Sequence, residues 1–171
     1  MIILMCGFPG SGKSTLTTKL CAVNPNILRF SGDDIIHMMG QGYDWSVHGK
    51  IIPKMERLFV EKTLLAGKIP LLDRTHLTVK SRRKYLDLCE PDLCEAMIFH
   101  IDRPEHNEEV TGWRDNNAKR PEKTLVPDKA LEDMKGFYVK PELSEGFSRI
   151  VVVEDVHTFD CSEFSEIKYV G

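Results

Sequence analysis

The chain has 171 residues, 42% apolar and 29% charged, and its 23 basic and 26 acidic side chains leave a net charge of −3. Those values suit one globular domain with a core, and they exclude a disordered chain, two large domains and a global positive field for nucleic acid. Five scattered cysteines (Cys6, Cys21, Cys89, Cys94, Cys161) form no C-x-x-C pair, the histidines form no metal-ligand cluster, and no apolar run reaches membrane-span length. The expectation is a cytoplasmic protein with no disulfide scaffold, no structural metal and no membrane segment.

The first predicted element is a buried strand, Ile2–Cys6. Directly behind it, Gly7-Phe8-Pro9-Gly10-Ser11-Gly12-Lys13-Ser14 satisfies G-x-x-x-x-G-K-[ST], and a helix over Ser14–Val23 follows. Strand, glycine-rich turn and helix are the context in which this pattern binds a nucleoside triphosphate. Glycines let backbone N–H groups turn toward the phosphates, and the helix N-terminus adds a positive dipole end. Lys13 reaches the outer phosphates, and the Ser14 hydroxyl can ligate Mg²⁺.

Further strands are predicted at Ile27–Phe30, Ile69–Leu72, Ala96–Ile101 and Ile150–Val153. Between them, apolar residues at helical spacing predict helices over His48–Ala66 and Val79–Leu88. Residues 105 to 138 read as two helical stretches broken at Pro121–Pro127, and residues 156 onward carry no readable signal. Alternating strands and helices predict an α/β three-layer sandwich of about five parallel strands, one P-loop domain over residues 1–171. In such sheets ligands bind beyond the carboxyl ends of the strands. The polar residues there are Ser31-Gly32-Asp33-Asp34, Asp73-Arg74-Thr75-His76 and Asp102-Arg103.

A guanine-reading N-K-x-D is absent, and no mid-chain apolar strand ends in Asp-Glu; Ile150 to Asp155 comes nearest and reads better as a last core strand. Both points disfavour a switch GTPase and a motor ATPase. A kinase needs an acceptor base and a mobile cover that brings positive charge to the transferring phosphoryl group. Asp33 or Asp34 can be the base, and helix capping is the other use for aspartates in that position. The cover candidate runs from Trp113 through Arg114, Lys119 and Arg120 to Lys123, within a lid of about 105–127; a solvated helix face is the alternative.

These residues resemble the P-loop kinases, most closely the bacteriophage-type 5′-hydroxyl polynucleotide kinases. The similarity runs through the loop to Thr15, the paired aspartates Asp33-Asp34, Leu71-Leu72-Asp73-Arg74-Thr75-His76-Leu77, and Arg114 and Arg120 ahead of Val126-Pro127. The resemblance implies an adenylate-kinase-like core with ATP as donor, held by Gly10, Ser11, Gly12, Lys13, Ser14, Thr15 and Arg114. It further implies Mg²⁺ near Ser14, Asp33 as general base, Arg120 as the lid arginine, and Asp34, Asp73, Arg74 and Thr75 on the acceptor side. Asp73 can also order a Mg²⁺-bound water, or simply bond nearby backbone. Two departures stand out: Ile36 occupies the place where the family commonly holds acceptor phosphate with arginine, and His76 replaces an asparagine. If Ile36 faces the crevice, other groups such as Arg74, Lys50 or Arg57 must take over that grip; otherwise the acceptor is not a polynucleotide.

Tyr43 and Trp45, in a glycine-flanked loop, can stack on bases or anchor the loop. Lys80, Arg82, Arg83 and Lys84 form the densest basic patch and read as a solvated helix start. The expected activity is γ-phosphoryl transfer from ATP to the 5′-hydroxyl ends of DNA or RNA, without a fused second catalytic domain. The rivals are a kinase for a small metabolite (nucleoside, sugar or antibiotic) and a nucleotide-gated protein that hydrolyses ATP without an acceptor.

Overall fold

The computed structural model describes residues 1–40, 44–88, 96–100, 112–120 and 125–168. Five strands, β1 (Ile2–Cys6), β2 (Ile27–Ser31), β3 (Ile69–Asp73), β4 (Ala96–His100) and β5 (Arg149–Val152), form one sheet in the order β2-β3-β1-β4-β5. Every neighbouring pair is parallel. Six α-helices accompany them among the described residues: α1 (Lys13–Val23), α2 (Gly32–Met38), α3 (Trp45–Leu65), α4 (Val79–Leu86), α5 (Gly112–Ala118) and α6 (Asp128–Phe137). This is the α/β P-loop NTPase fold.

β1 is the middle strand and is buried along its whole length. Strand residues point alternately to opposite faces, so β1 feeds two cores. Ile3 and Met5 join Leu16 and Leu20 of α1 on one side. Ile2, Leu4 and Cys6 join Ile52 and Val60 of α3 and Tyr85 and Leu86 of α4 on the other. A strand covered on both faces reads as an unbroken apolar run, which is why Ile2–Cys6 is so easily found in the sequence. None of the helices among the described residues is long and apolar enough to cross a membrane.

The predicted strands match to within a residue, although Ile101 lies outside the described residues. Helix α3 starts three residues ahead of the expected His48, because the Asp44 side chain caps it by accepting from Ser46 N–H at 2.9 Å. Helix α2 goes beyond the predicted elements; seven residues are too few to show a period, and Ser31 caps it by accepting from Asp34 N–H. Of the lid, residues 112–120 and 125–127 are described and hold α5; the helical stretch expected beyond the Pro121–Pro127 break is α6, and residues 105–111 and 121–124 lie outside the described residues.

One segment that the sequence leaves unread acquires a role, and one expectation needs correcting. The segment from Val156 contributes to the core: Val156, Cys161 and Phe164 are buried with α1 and β1 residues. The Asn24 side chain fastens it by donating to the carbonyls of Phe164 and Ile167, each at 2.9 Å. Its apolar residues follow neither a helical nor a strand period, so pattern reading passes over them. Nor is the basic run at α4 uniformly solvated. Lys80, Arg83 and Lys84 are exposed, but Arg82 has 0% of its surface exposed. Its guanidinium forms a two-pronged pair with Glu145 at 2.6 and 2.7 Å and donates to the carbonyls of His76 and Val139.

Arg82 thus joins α4, the turn after β3 and the approach to β5. Arg82→Met strands Glu145 without its counter-charge and should cost about 3–5 kcal/mol in urea unfolding, whereas Lys80→Ala should stay within about 0.5 kcal/mol. Equal losses for the two variants would contradict this account.

Candidate phosphate-binding and acceptor site

The loop between β1 and α1 turns where Gly10 (φ 83°) and Gly12 (φ 98°) take left-handed backbone. Space as well as conformation demands glycine at position 12, since a Cβ there would stand 2.6 Å from the Val156 side chain. Ser11 N–H donates to Phe8 C=O, and Gly7 N–H donates to Thr75 C=O at 3.0 Å. The C-terminal segment therefore backs the loop on one side and the turn after β3 fixes its start. Ser14 and Thr15 are exposed at the first turn of α1.

Lys13 is only 8% exposed and donates to Phe8 C=O at 2.6 Å. Burial pushes its pKa down to about 8; the charges of Asp73 and Asp33 oppose that shift and the charge of Arg120 reinforces it. Four of the sequence candidates (Lys13, Asp33, Asp73 and Arg120) thus share one electrostatic neighbourhood.

Asp73 ends β3, next to β1 in the sheet, and its side chain is 3% exposed. Its Oδ2 accepts from Thr17 Oγ1 at 3.3 Å and from Arg29 Nε and Nη2 at 2.9 and 2.7 Å. Asp33 and Asp34 lie in the first turn of α2, where the helix dipole favours negative charge. They are not equivalent. Asp34 pairs with Arg29 Nη1. Asp33 is exposed, and no hydrogen bond or ion pair engages its side chain among the described residues. The capping role belongs to Ser31, so neither aspartate is needed for it.

Arg74 follows Asp73 and donates to Glu56, a fully buried carboxylate of α3, at 3.3 Å. A Cβ on Gly32 would stand 3.9 Å from the Arg74 guanidinium, so the arginine lies beside the residue preceding Asp33. Thr75 uses its carbonyl to hold Gly7. His76 is buried with left-handed backbone (φ 41°), and its Nδ1–H donates to Met5 C=O at 2.7 Å. Burial drives its pKa down to about 3, so the ring is a neutral brace between β1 and the turn after β3.

Ile36 is buried in the α3-side core and does not face the crevice. Lys50 and Arg57 are exposed on α3. Tyr43 lies outside the described residues, and Trp45 heads α3. In the lid, Asn116 Nδ2 donates to Gly10 C=O, Asn117 clasps Val126 through both ends of its amide, and Arg114 pairs with Glu132 of α6. Beside Asp34 opens a groove of about 460 Å³, lined by Phe30, Ile35, Met55, Leu58 and Phe59 with Arg29 and Lys62.

Sequence reading misses Thr17, Arg29 and Glu56. A lone arginine in an apolar strand, four residues ahead of Asp33, is the one local sign of Arg29. Ser14 and Asp73 are hard oxygen donors suited to Mg²⁺ beside phosphate oxygens. No group of three His, Cys, Asp or Glu side chains among the described residues could hold a metal ion, and Mg²⁺ in phosphoryl-transfer sites relies on substrate phosphates in just this way.

The chain is 24% identical over 155 residues to the bifunctional polynucleotide phosphatase/kinase of Schizosaccharomyces pombe, covering 87% of this chain and 32% of that protein. It therefore spans about a third of that relative's length. Among solved structures, Chaetomium thermophilum Kti12 in complex with ADP-AlF3 superposes with a TM-score of 0.69 at 14% identity, covering 90% of this chain and 89% of that one. A fungal RNA kinase gives 0.61 at 14% identity, covering 90% and 38%. A sugar kinase from Janibacter gives 0.59 at 16% identity, covering 96% and 90%.

A phosphate-gripping role for Lys13 requires its protonated form, so on that expectation affinity for ADP should be level below about pH 8 and weaken above it, by up to about tenfold per pH unit. Calorimetric titration from about pH 7 to about pH 10 measures this, and Lys13→Met should bind weakly and without that pH step. A wild-type profile that stays flat to the alkaline limit would contradict the assignment. A family model described as an AAA domain matches residues 2–141, a span that holds the loop, the three carboxylates and both lid arginines, and the chain belongs to that family, as a P-loop kinase resembling the polynucleotide kinases.

Proposed function

We propose that the protein transfers the γ-phosphoryl group of ATP to the 5′-hydroxyl end of DNA or RNA. The observation that carries this reading is the contrast between two adjacent carboxylates. Asp34 is bound to Arg29, while Asp33 stands exposed and unpaired among the described residues, within the electrostatic reach of Lys13. A general base needs an uncommitted oxygen facing the reacting hydroxyl. The names of the Schizosaccharomyces pombe relative and the fungal RNA kinase support a polynucleotide acceptor. The cysteine pattern supports the cytoplasm as its compartment.

The amides from Gly10 to Thr15 cradle the triphosphate, and Ser14 with Asp73 would hold Mg²⁺, which supplies charge neutralisation at the phosphate oxygens. The acceptor hydroxyl oxygen attacks the γ-phosphorus as Asp33 takes its proton, and the bond to the ADP oxygen breaks. Lys13, Arg120 and Arg114 stabilise the charge spread over the departing and transferring groups, with Arg114 first exchanging Glu132 for phosphate. Asp34 and Arg74 border the acceptor, and the apolar groove beside Asp34 offers a wall for a base.

One observation favours the small-metabolite alternative: position 36 is buried, so the family's usual grip on acceptor phosphate is missing there. Both readings are decided by incubating the protein with Mg²⁺, γ-labelled ATP and a panel of 5′-hydroxyl oligonucleotides, nucleosides and sugars. Label should appear on oligonucleotide ends. Label confined to a nucleoside or sugar would move the assignment to the alternative, and acceptor-independent release of phosphate would sink both. Asp33→Asn should slow transfer about a hundredfold to ten-thousandfold with ATP binding retained, whereas Asp34→Asn should cost about tenfold or less.

A further inference from the structure

Glu56 is a carboxylate on the core face of α3, 1% exposed, with the apolar side chains of Ile52, Phe59 and Val60 about one helical turn away on either side. A carboxylate so placed is costly unless opposite charge meets it. Two cations meet its Oε2: Arg74 Nη1, from the turn after β3, at 3.3 Å and Lys84 Nζ, from α4, at 3.4 Å. One would balance the carboxylate, and the second leaves a surplus of positive charge. The contacts are also loose. Where the fold needs a firm bond, as at Arg82 and Glu145, the guanidinium closes with two prongs at 2.6 and 2.7 Å. Arg74 touches Glu56 through one nitrogen, and its other N–H groups have no partner among the described residues. Its guanidinium lies beside Gly32, the residue preceding Asp33. Both departures from the resembled kinases border this carboxylate. Ile36 belongs to the same apolar cluster as Ile52 and Tyr85, and the His76 ring meets Tyr85 edge-on with centroids 5.3 Å apart. Burial, and after it the charge of Glu56, push the Tyr85 phenol pKa up, so a neutral phenol walls the carboxylate on that side.

We propose that Glu56 is a positioning residue that holds Arg74, with Lys84 adding charge, as a grip on the acceptor's first phosphodiester. The inference rests on the polynucleotide reading above and names what that site recognises besides the hydroxyl. In a strand that ends in a 5′-hydroxyl, the nearest charge is the phosphate on the 3′ oxygen of the same nucleotide. With the hydroxyl at Asp33, that phosphate lies one sugar away, on the side where Arg74 stands. Its oxygens take the free N–H groups of the planar fork while Nη1 stays on Glu56. Fixing the guanidinium before the acceptor arrives spares the entropy that a free arginine would lose on binding. Lys50 and Arg57, exposed on α3, are paired to no buried carboxylate among the described residues. A bare nucleoside or sugar offers no anion at this place, so the same grip selects against small acceptors.

The test uses 5′-hydroxyl oligonucleotides that differ only in the first internucleotide linkage, an ordinary phosphodiester or a neutral methylphosphonate. Each is incubated with γ-labelled ATP, Mg²⁺ and the full chain, with folding monitored by circular dichroism. Wild type should label the phosphodiester end with kcat/KM about tenfold or more above that for the methylphosphonate end. Glu56→Gln and Glu56→Asp should shrink that ratio to about threefold or less by raising KM for the charged acceptor. KM for ATP and labelling of the neutral acceptor should stay within about twofold of wild type. Arg74→Gln should behave alike, and it carries the comparison if the Glu56 variants do not fold. The double variant should be no worse than Arg74→Gln alone, because the two side chains act as one unit. Lys84→Met should shift the ratio in the same direction by a smaller factor. Equal losses on the two acceptors, the mark of a residue that only supports the fold, overturn the proposal. So does a larger ratio in Glu56→Gln, which would make the carboxylate a mere offset to the two cations. If wild type labels neither oligonucleotide, the polynucleotide reading itself falls; if it labels both equally, that reading stands and the grip alone is lost.

Discussion

An ammonium group held almost out of water has to be compensated, and Lys13 is the group around which the crevice is built. Its nearest partner is a loop carbonyl, which satisfies one donor but does not cancel the charge. Cancellation comes from carboxylates on other elements: Asp73 at the end of β3 and Asp33 at the start of α2. Those two can lie near Lys13 only because β1 is the central strand with β3 beside it, and β2 beyond β3. Strand order and lysine ionisation are thus two aspects of one constraint. The incoming triphosphate meets a cation whose solvation was already given up on folding.

Around that group the polar side chains form chains of support more than isolated contacts. Arg29 reaches from the sheet edge to Asp73, and Thr17 reaches the same carboxylate from α1. Glu56 holds Arg74, and Arg82 holds the His76 carbonyl, whose ring in turn braces the carbonyl of Met5. The lid joins through Asn116, which touches the loop itself, while Tyr138, just after α6, packs its ring on Phe8 and brings its hydroxyl to His100 Nε2 at 2.5 Å. The loop is thus held from the lid by a hydrogen bond and from the end of α6 by aromatic packing. Interiors packed in this way transmit small displacements instead of absorbing them.

The loop and the sheet are legible in the sequence for a physical reason. A central parallel strand must be apolar throughout, and a nest of amides needs glycines at set positions, so both leave local marks. The carboxylates are legible at one remove, because strand ends in a parallel sheet converge on a single edge. What escapes is whatever depends on a distant partner. Arg82 looks like any surface arginine until Glu145, 63 residues later, is seen beside it. Arg29 acquires its meaning from Asp73, 44 residues away, and the packing of Val156 on Gly12 has no periodic signature at all. Within the lid, Arg114 reads as a phosphate ligand, and its ion pair with Glu132, 18 residues later, leaves no local mark in the sequence.

The contact between Gly12 and Val156 joins two segments that lie far apart along the sequence. Phe164, further along still, fills the core beneath α1 against Leu16 and Leu20. A growing polypeptide can therefore pair no more than part of this crevice until the residues from Val156 to Phe164 have emerged. High-separation contacts of this kind form late and slow the folding of parallel sheets. The phosphate-binding loop, though written in residues 7 to 14, should complete its packing only once the segment around Val156 has been made.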